Sequence, residues 1–177
     1  AGDKKGARKI LANSFTMLII VSLTLTLLFL LMKEQLLNWF GASEVTFPYA
    51  ETYLTIYTAG TFFALLSMGM NYFITAQGFP MLGMMTTLIG ALVNIVLDPV
   101  FIFLMDMGVA GAAVATVIAQ TSSCLFVLCT LRRKKMQVPL GITRPDPHTG
   151  KQIVKIGFCP FLIFATDSII IIAMNAV

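Results

Sequence analysis

Long apolar runs, separated by short polar breaks, dominate the pattern of this chain. A helix needs about 20 mainly apolar residues to cross the hydrocarbon core of a bilayer. Five segments reach that length: Ile10 to Met32, Thr52 to Ala76, Met81 to Met105, Val109 to Leu131, and Ile153 to the chain end. The first carries no charge, the third contains Asp98 and the fifth contains Asp167. The breaks "GASEVTFP", "AQGFP" and "DMG" are turn signals. Pro80 suits a helix start, where its missing N–H would be unpaired anyway. The stretch from Arg132 to Gln152 is longer and polar, with three prolines and two glycines. The pattern predicts an all-α, polytopic transmembrane helix bundle. Four spans occupy 1–131, a cytoplasmic linker occupies 132–152, and the first helix of a second bundle occupies 153–177.

Composition agrees with this reading. The chain is 58% hydrophobic and 11% charged, whereas soluble domains carry about 25% charged residues. The net charge of +4 raises the question of nucleic acid, and the placement of the charges answers it. Lys4, Lys5, Arg8 and Lys9 precede the first span, and seven more basic residues lie between Arg132 and Lys155, leaving only Lys33 elsewhere. Four spans separate the two clusters, so both fall on one side of the membrane. Basic loops mark the cytoplasmic side. A multi-pass protein of the cell membrane, its basic face against anionic lipid, accounts for the charge without nucleic acid. The chain opens on "AGDKKGARK" and stops at "IIIIAMNAV", within a hydrophobic segment. It reads as a piece of a longer protein, with the lipid bilayer and that protein's other helices as partners.

The candidate chemistry centres on "NIVLDP", Asn94 to Pro99. Asn94 and Asp98 are four apart and share one helix face, which Thr87 and Ala91 extend. An aspartate inside a span costs about 2.5–3.5 kcal/mol on insertion scales, so it must face protein or water. Pro99 removes a backbone N–H and frees a carbonyl near Ile95, a place for the helix to bend. Carboxylate, amide and freed carbonyl together suit a proton or a hard cation such as Na⁺. The plainer alternative is an interhelical hydrogen bond that only holds the bundle together.

In the next span Gly108, Ala112 and Thr116 form one small-residue row, and Gly111 with Ala115 a second. Such rows let helices approach closely, and the third and fourth spans are expected to pack along the first. The short "DMG" loop makes those spans an antiparallel hairpin and brings Thr116 to the depth of Asp98. The alternative for Thr116 is a hydroxyl bonded back to its own helix. Asp167 is either a second protonatable site or the centre of a local network. Asn71, Gln77 and Gln120 read as packing contacts, and His148 as a solvated loop residue.

Cys124, Cys129 and Cys159 lack metal-ligand spacing. No phosphate loop, metal cluster or nucleophile elbow appears. The two aspartates follow Leu97 and Thr166, not the Tyr-Asp and Gly-x-Gly-Asp contexts of intramembrane aspartyl proteases. The chain is therefore not read as an enzyme, and no cofactor is expected beyond a coupling ion, Na⁺ or H⁺.

"FITAQGFP", "IGALVNIVLDPVFIF" and "MGVAGAAVATVIAQ", in this order, resemble the multidrug and toxic compound extrusion (MATE) family, with the closest likeness to its bacterial DinF-like branch. The resemblance implies a fragment of a twelve-helix, two-lobe transporter, covering its third to seventh helices. It implies antiport of Na⁺ or H⁺ against small-molecule drugs, mostly cationic and amphipathic. It also implies that Asn94, Asp98, Thr116 and the Ala112 carbonyl bind the cation, with a partner aspartate on a first helix that this chain lacks. Asp167 falls near an acidic position of some relatives. Two rivals remain. A lipid-linked oligosaccharide flippase of the same superfamily would need intramembrane basic residues, which the first four spans lack. A structural membrane subunit would not transport at all.

Overall fold

The computed structural model describes residues 3–41, 43–133, 136–141 and 146–175. Helix α1, Lys4–Leu31, begins before its apolar run because Asp3 caps it. The Asp3 carboxylate accepts the Gly6 N–H at 2.9 Å, so the basic residues expected to flank the span ride on its first turns. After Met32 a short helix, α2, Lys33–Trp39, forms inside the segment read as an outer connection. Lys33 then pairs with Glu51 at 2.7 Å. The pair ties α2 to α3, Phe47–Ala76. Pro48 sits in the first turn of α3, and the Ser43 and Thr46 hydroxyls bond reciprocally across the preceding turn, 2.9 Å apart.

A turn at Gln77 and Gly78 leads into α4, Pro80–Pro99, with Pro80 at the helix start as its sequence suggests. Past Pro99 the winding widens into a π-helical segment, Val100–Leu104. The turn that follows places Asp106 at φ 52° and Gly108 at φ 53°. This left-handed backbone is costly for most side chains but open to Asp and Gly. It reverses the chain into α5, Gly108–Leu131.

Helix α3 is the hub. A Cβ on its Gly69 would meet the Leu18 side chain of α1 at 2.5 Å, and one on Gly60 would meet Val117 of α5 at 2.5 Å. Backbones come close where side chains are absent. The core around these helices includes Leu11 of α1, Leu66, Met70 and Ile74 of α3, and Cys124, Val127 and Leu131 of α5. Two side-chain hydrogen bonds fasten α4 to the hub. Asn71 Nδ2 donates to the Gly83 carbonyl at 3.2 Å, and Ser123 Oγ to the Thr86 carbonyl at 3.0 Å. The opposite side of α4 leaves Met81, Met85, Leu88, Leu92 and Ile95 exposed, as a helix facing lipid would.

The small-residue rows differ from expectation in one respect. The close approach of α4 and α5 runs along Gly111, Ala115 and Ala119, all buried, rather than along Gly108, Ala112 and Thr116, which are half-buried or exposed. A Cβ on Gly111 would lie 2.7 Å from the Phe101 carbonyl oxygen. Phe101 belongs to the π-helical segment, a winding that a regular α-helix drawn from the sequence does not include, and its backbone approaches the Gly111 row.

Helix α6, Pro147–Asn175, starts inside the stretch read as linker and packs on α1. Among the described residues, four helices are long and apolar enough to cross a membrane: α1, α3, α4 with its π-helical extension, and α5. The ends bearing Arg8, Gln77, Gln137 and Asp146 gather at one side of the bundle. Gln77 Oε1 accepts the Val138 N–H at 2.8 Å, and Gly141 packs on the Arg8 guanidinium. The two basic clusters thus share one end, as the span count requires. Lys134, Lys135 and Arg144 lie outside the described residues.

Candidate functional site

A cavity of about 480 Å³ opens between α3, α4 and α5. Its wall is mostly apolar, but each helix contributes polar groups: Asn71 from α3, Thr86, Thr87 and Asn94 from α4, and Thr116 and Gln120 from α5. Thr87 and Ala91, placed on Asn94's face by helical spacing, do line it with Asn94.

Asn94 Nδ2 donates to Asp98 Oδ1 at 3.1 Å. With its amide group engaged, the Asn94 carbonyl oxygen is the end left to accept. Thr116 Oγ1 donates to the Ala112 carbonyl at 2.9 Å. Spending its proton there leaves the hydroxyl as an acceptor too. The structure therefore joins Asn94 to Asp98, Thr116 to Ala112, and Asn94 to Thr116 across one cavity. Asp98 is half-buried, forms no ion pair among the described residues, and lies one helical turn beyond the lining, linked to it through Asn94.

The register of α4 on α5 places Asp98 and Thr116 at matching depth. Gly90 packs on Ser123, and Gly111 on Phe101. Asp98 is eight residues beyond Gly90 and Thr116 seven before Ser123. At 1.5 Å per residue the two lie at nearly the same height in the antiparallel pair. Pro99 stands where α winding gives way to π winding. Asp167 is elsewhere: exposed on α6, in a shallow depression formed with Leu162, Ile163 and Thr166 of its own helix.

Two residues assigned to packing prove more informative. Asn71 Oδ1 and Gln120 Oε1 are buried and accept no hydrogen bond, and both belong to residues lining the cavity. A buried acceptor without a donor is costly; Thr26 and Thr130 have hydroxyls left the same way elsewhere in the bundle, whereas Asn71 and Gln120 border the cavity. The signal in the sequence was polar pairing at helical spacing, Ser67 with Asn71 and Thr116 with Gln120. Each pair puts two polar groups on one face of an otherwise apolar helix. Among the described residues, no group of three His, Cys, Asp or Glu side chains is placed to hold a metal ion. The cavity is lined by neutral oxygens with one carboxylate behind them.

The MatE family model matches residues 1–100, more than half of the chain. This chain belongs to the MatE family. It is similar to the multidrug export protein MepA of Staphylococcus saprophyticus, 29% identical over 146 residues, covering 81% of this chain and 32% of the relative. The MepA of Staphylococcus aureus is 28% identical over 165 residues, covering 91% of this chain and 37% of the relative. Among solved structures, a MATE in the bent conformation superposes with a TM-score of 0.83 at 28% identity, covering 88% of this chain and 36% of that one. An inward-facing multidrug resistance MATE transporter of the MOP superfamily gives 0.82, also at 28% identity and with the same coverage. The chain thus spans about a third of the length of these MatE relatives. The all-α, multi-pass membrane fold expected from the apolar pattern is the fold of the family.

Proposed function

We propose that the full-length protein is a cation-coupled exporter of cationic, amphipathic drugs across the cell membrane, and that the cavity between α3, α4 and α5 is part of its working site. The carrying observation is the Asn94–Asp98 hydrogen bond, set behind a cavity whose Asn71 and Gln120 oxygens lack donors. The names of the relatives support export as the activity. The coupling rests on the oxygens. Asp98 supplies the charge that an entering Na⁺ or H⁺ cancels, and Asn94, Thr116 and the Ala112 carbonyl supply neutral oxygens of the kind hard cations prefer. The neutral polar side chains on the cavity wall suit the N–H donors of a protonated drug. Cation binding drives transport only if it favours one conformation over another. The change of winding at Pro99, next to Asp98, is where such a difference would be stored.

The test is Asp98→Asn in the full-length protein. The amide nearly matches the carboxylate in shape, so expression and detergent stability should hold, while drug efflux driven by a Na⁺ or H⁺ gradient should be lost. Export at the parental rate with unchanged gradient dependence would refute the coupling role and leave Asp98 as a structural bond.

A further inference from the structure

The end of the bundle that carries the basic clusters holds a cluster of polar contacts that the transport site does not use. Asp146 immediately precedes α6, and its carboxylate meets Lys9 Nζ of α1 at 2.7 Å and the Thr149 hydroxyl at 2.7 Å, while also accepting the His148 N–H at 3.2 Å. Its backbone N–H donates to Asn13 Oδ1 at 2.8 Å. Asn13 is itself aimed by its Nδ2, which donates to the Lys9 carbonyl at 2.8 Å. Asn13 and Thr149 are buried. One residue thus caps α6 and fastens it to α1 through both its side chain and its backbone. Among the described elements, α1 is the only helix that α6 packs against, and farther along α6 Phe161 and Ile163 are exposed. The described polar contacts between α6 and α1 gather at this corner.

We propose that Lys9, Asn13 and Asp146 form a latch that holds the start of α6 against α1 and opens when α6 moves during transport. The proposal rests on the exporter reading for its motion and on the contacts alone for its closed state. A polar corner suits a reversible contact. Water can replace each of its hydrogen bonds when it opens, whereas a buried apolar seam would expose its whole area. Lys9 draws the Asp146 carboxyl well below the usual carboxylate range, with Thr149 adding to the effect. The latch therefore stays charged at neutral pH and responds to movement rather than to protonation.

The test uses the full-length protein with its native cysteines replaced and a reporter pair, Met17→Cys with Gly150→Cys. A Cβ at Gly150 would stand 3.7 Å from the Met17 sulfur, ordinary contact distance, so the pair reports α6 docked on α1. Lys9→Glu and Asn13→Ala should each slow oxidative crosslinking about two- to fivefold, the range expected for a partly exposed ionic contact. Lys9→Arg should crosslink at the parental rate. If Lys9→Glu lowers the yield of folded protein, Lys9→Gln takes its place. Parental crosslinking rates in both disrupting variants would overturn the latch. Ethidium with an imposed Na⁺ or H⁺ gradient should lower crosslinking in the parent, and no change would overturn its opening. A parent that exports no ethidium but keeps the variant pattern would refute the exporter reading and leave the closed contact standing.

Discussion

Gln120 and Asn71 show at the residue scale how burial separates a site from packing. Both look like ordinary interhelical hydrogen-bonding groups in sequence. Asn71 does donate to the Gly83 carbonyl, yet its oxygen and that of Gln120 remain unpaired. An unpaired buried acceptor costs stability, and here both lie on residues that border the cavity. Gln120→Leu, similar in size, should therefore leave thermal stability unchanged or raise it by about 1 kcal/mol, while lowering drug export. A thermal-shift measurement beside an efflux assay reads both, and lost stability with intact export would assign Gln120 to packing. Asn94→Ala and Thr116→Ala should weaken gradient coupling less than Asp98→Asn, because each removes a neutral oxygen and leaves the charge in place. Flux measured against the imposed gradient ranks the three.

At the scale of elements, the α4–α5 hairpin depends on Gly111. A methyl group there would press on the Phe101 backbone, which has no flexible end to yield. Gly111→Ala should cost about 1–3 kcal/mol through overpacking, seen as a lower unfolding temperature. Ala112→Leu, on the half-buried neighbouring row, should cost less. Equal losses would mean that both rows face inward. The π-helical segment after Pro99 carries Phe101, so the same contact ties that segment to the Gly111 row. The latch at α6 has a pH dependence of definite sign. The carboxyl of Asp146 is held below its ordinary range, first by Lys9. Its contribution is complete above the ordinary carboxylate pKa of about 4 and fades only as pH falls below it. Crosslinking through Met17→Cys and Gly150→Cys, in a His148→Gln background that removes the neighbouring imidazole and corrected for thiol ionisation, should be flat from about pH 8 to about pH 5.

For the whole molecule, the gathering of the basic ends at one side fixes an orientation test. Cysteine at position 43, in the turn before α3, should be labelled from outside intact cells by a membrane-impermeant maleimide. His148→Cys, beside the latch, should not be labelled until the membrane is opened. The reverse pattern would invert the topology and put the latch on the outer face. The chain spans about a third of its MatE relatives' length, and the apolar side of α4 and the cavity beside it are open in this portion.

The sequence by itself determined the membrane class, the all-α architecture, the orientation of charge and the pairing of Asn94 with Asp98. Each depends on composition or on spacing within one helix, which the chain carries locally. The depth match of Asp98 and Thr116 was also legible, because a three-residue turn leaves a hairpin little freedom. Only the tertiary structure decided the rest. It chose the Gly111 row over the Gly108 row, where the missing side chain of Gly111 lets the Phe101 backbone come close. It left Asp167 exposed on α6, apart from the cavity. It gathered Asn71, Asn94, Thr116 and Gln120 from three helices around one space, and it brought Asp146 to Lys9 and Asn13. Residues so far apart in the chain meet only through packing, and no local pattern encodes which of many polar side chains in apolar helices will be left without a partner.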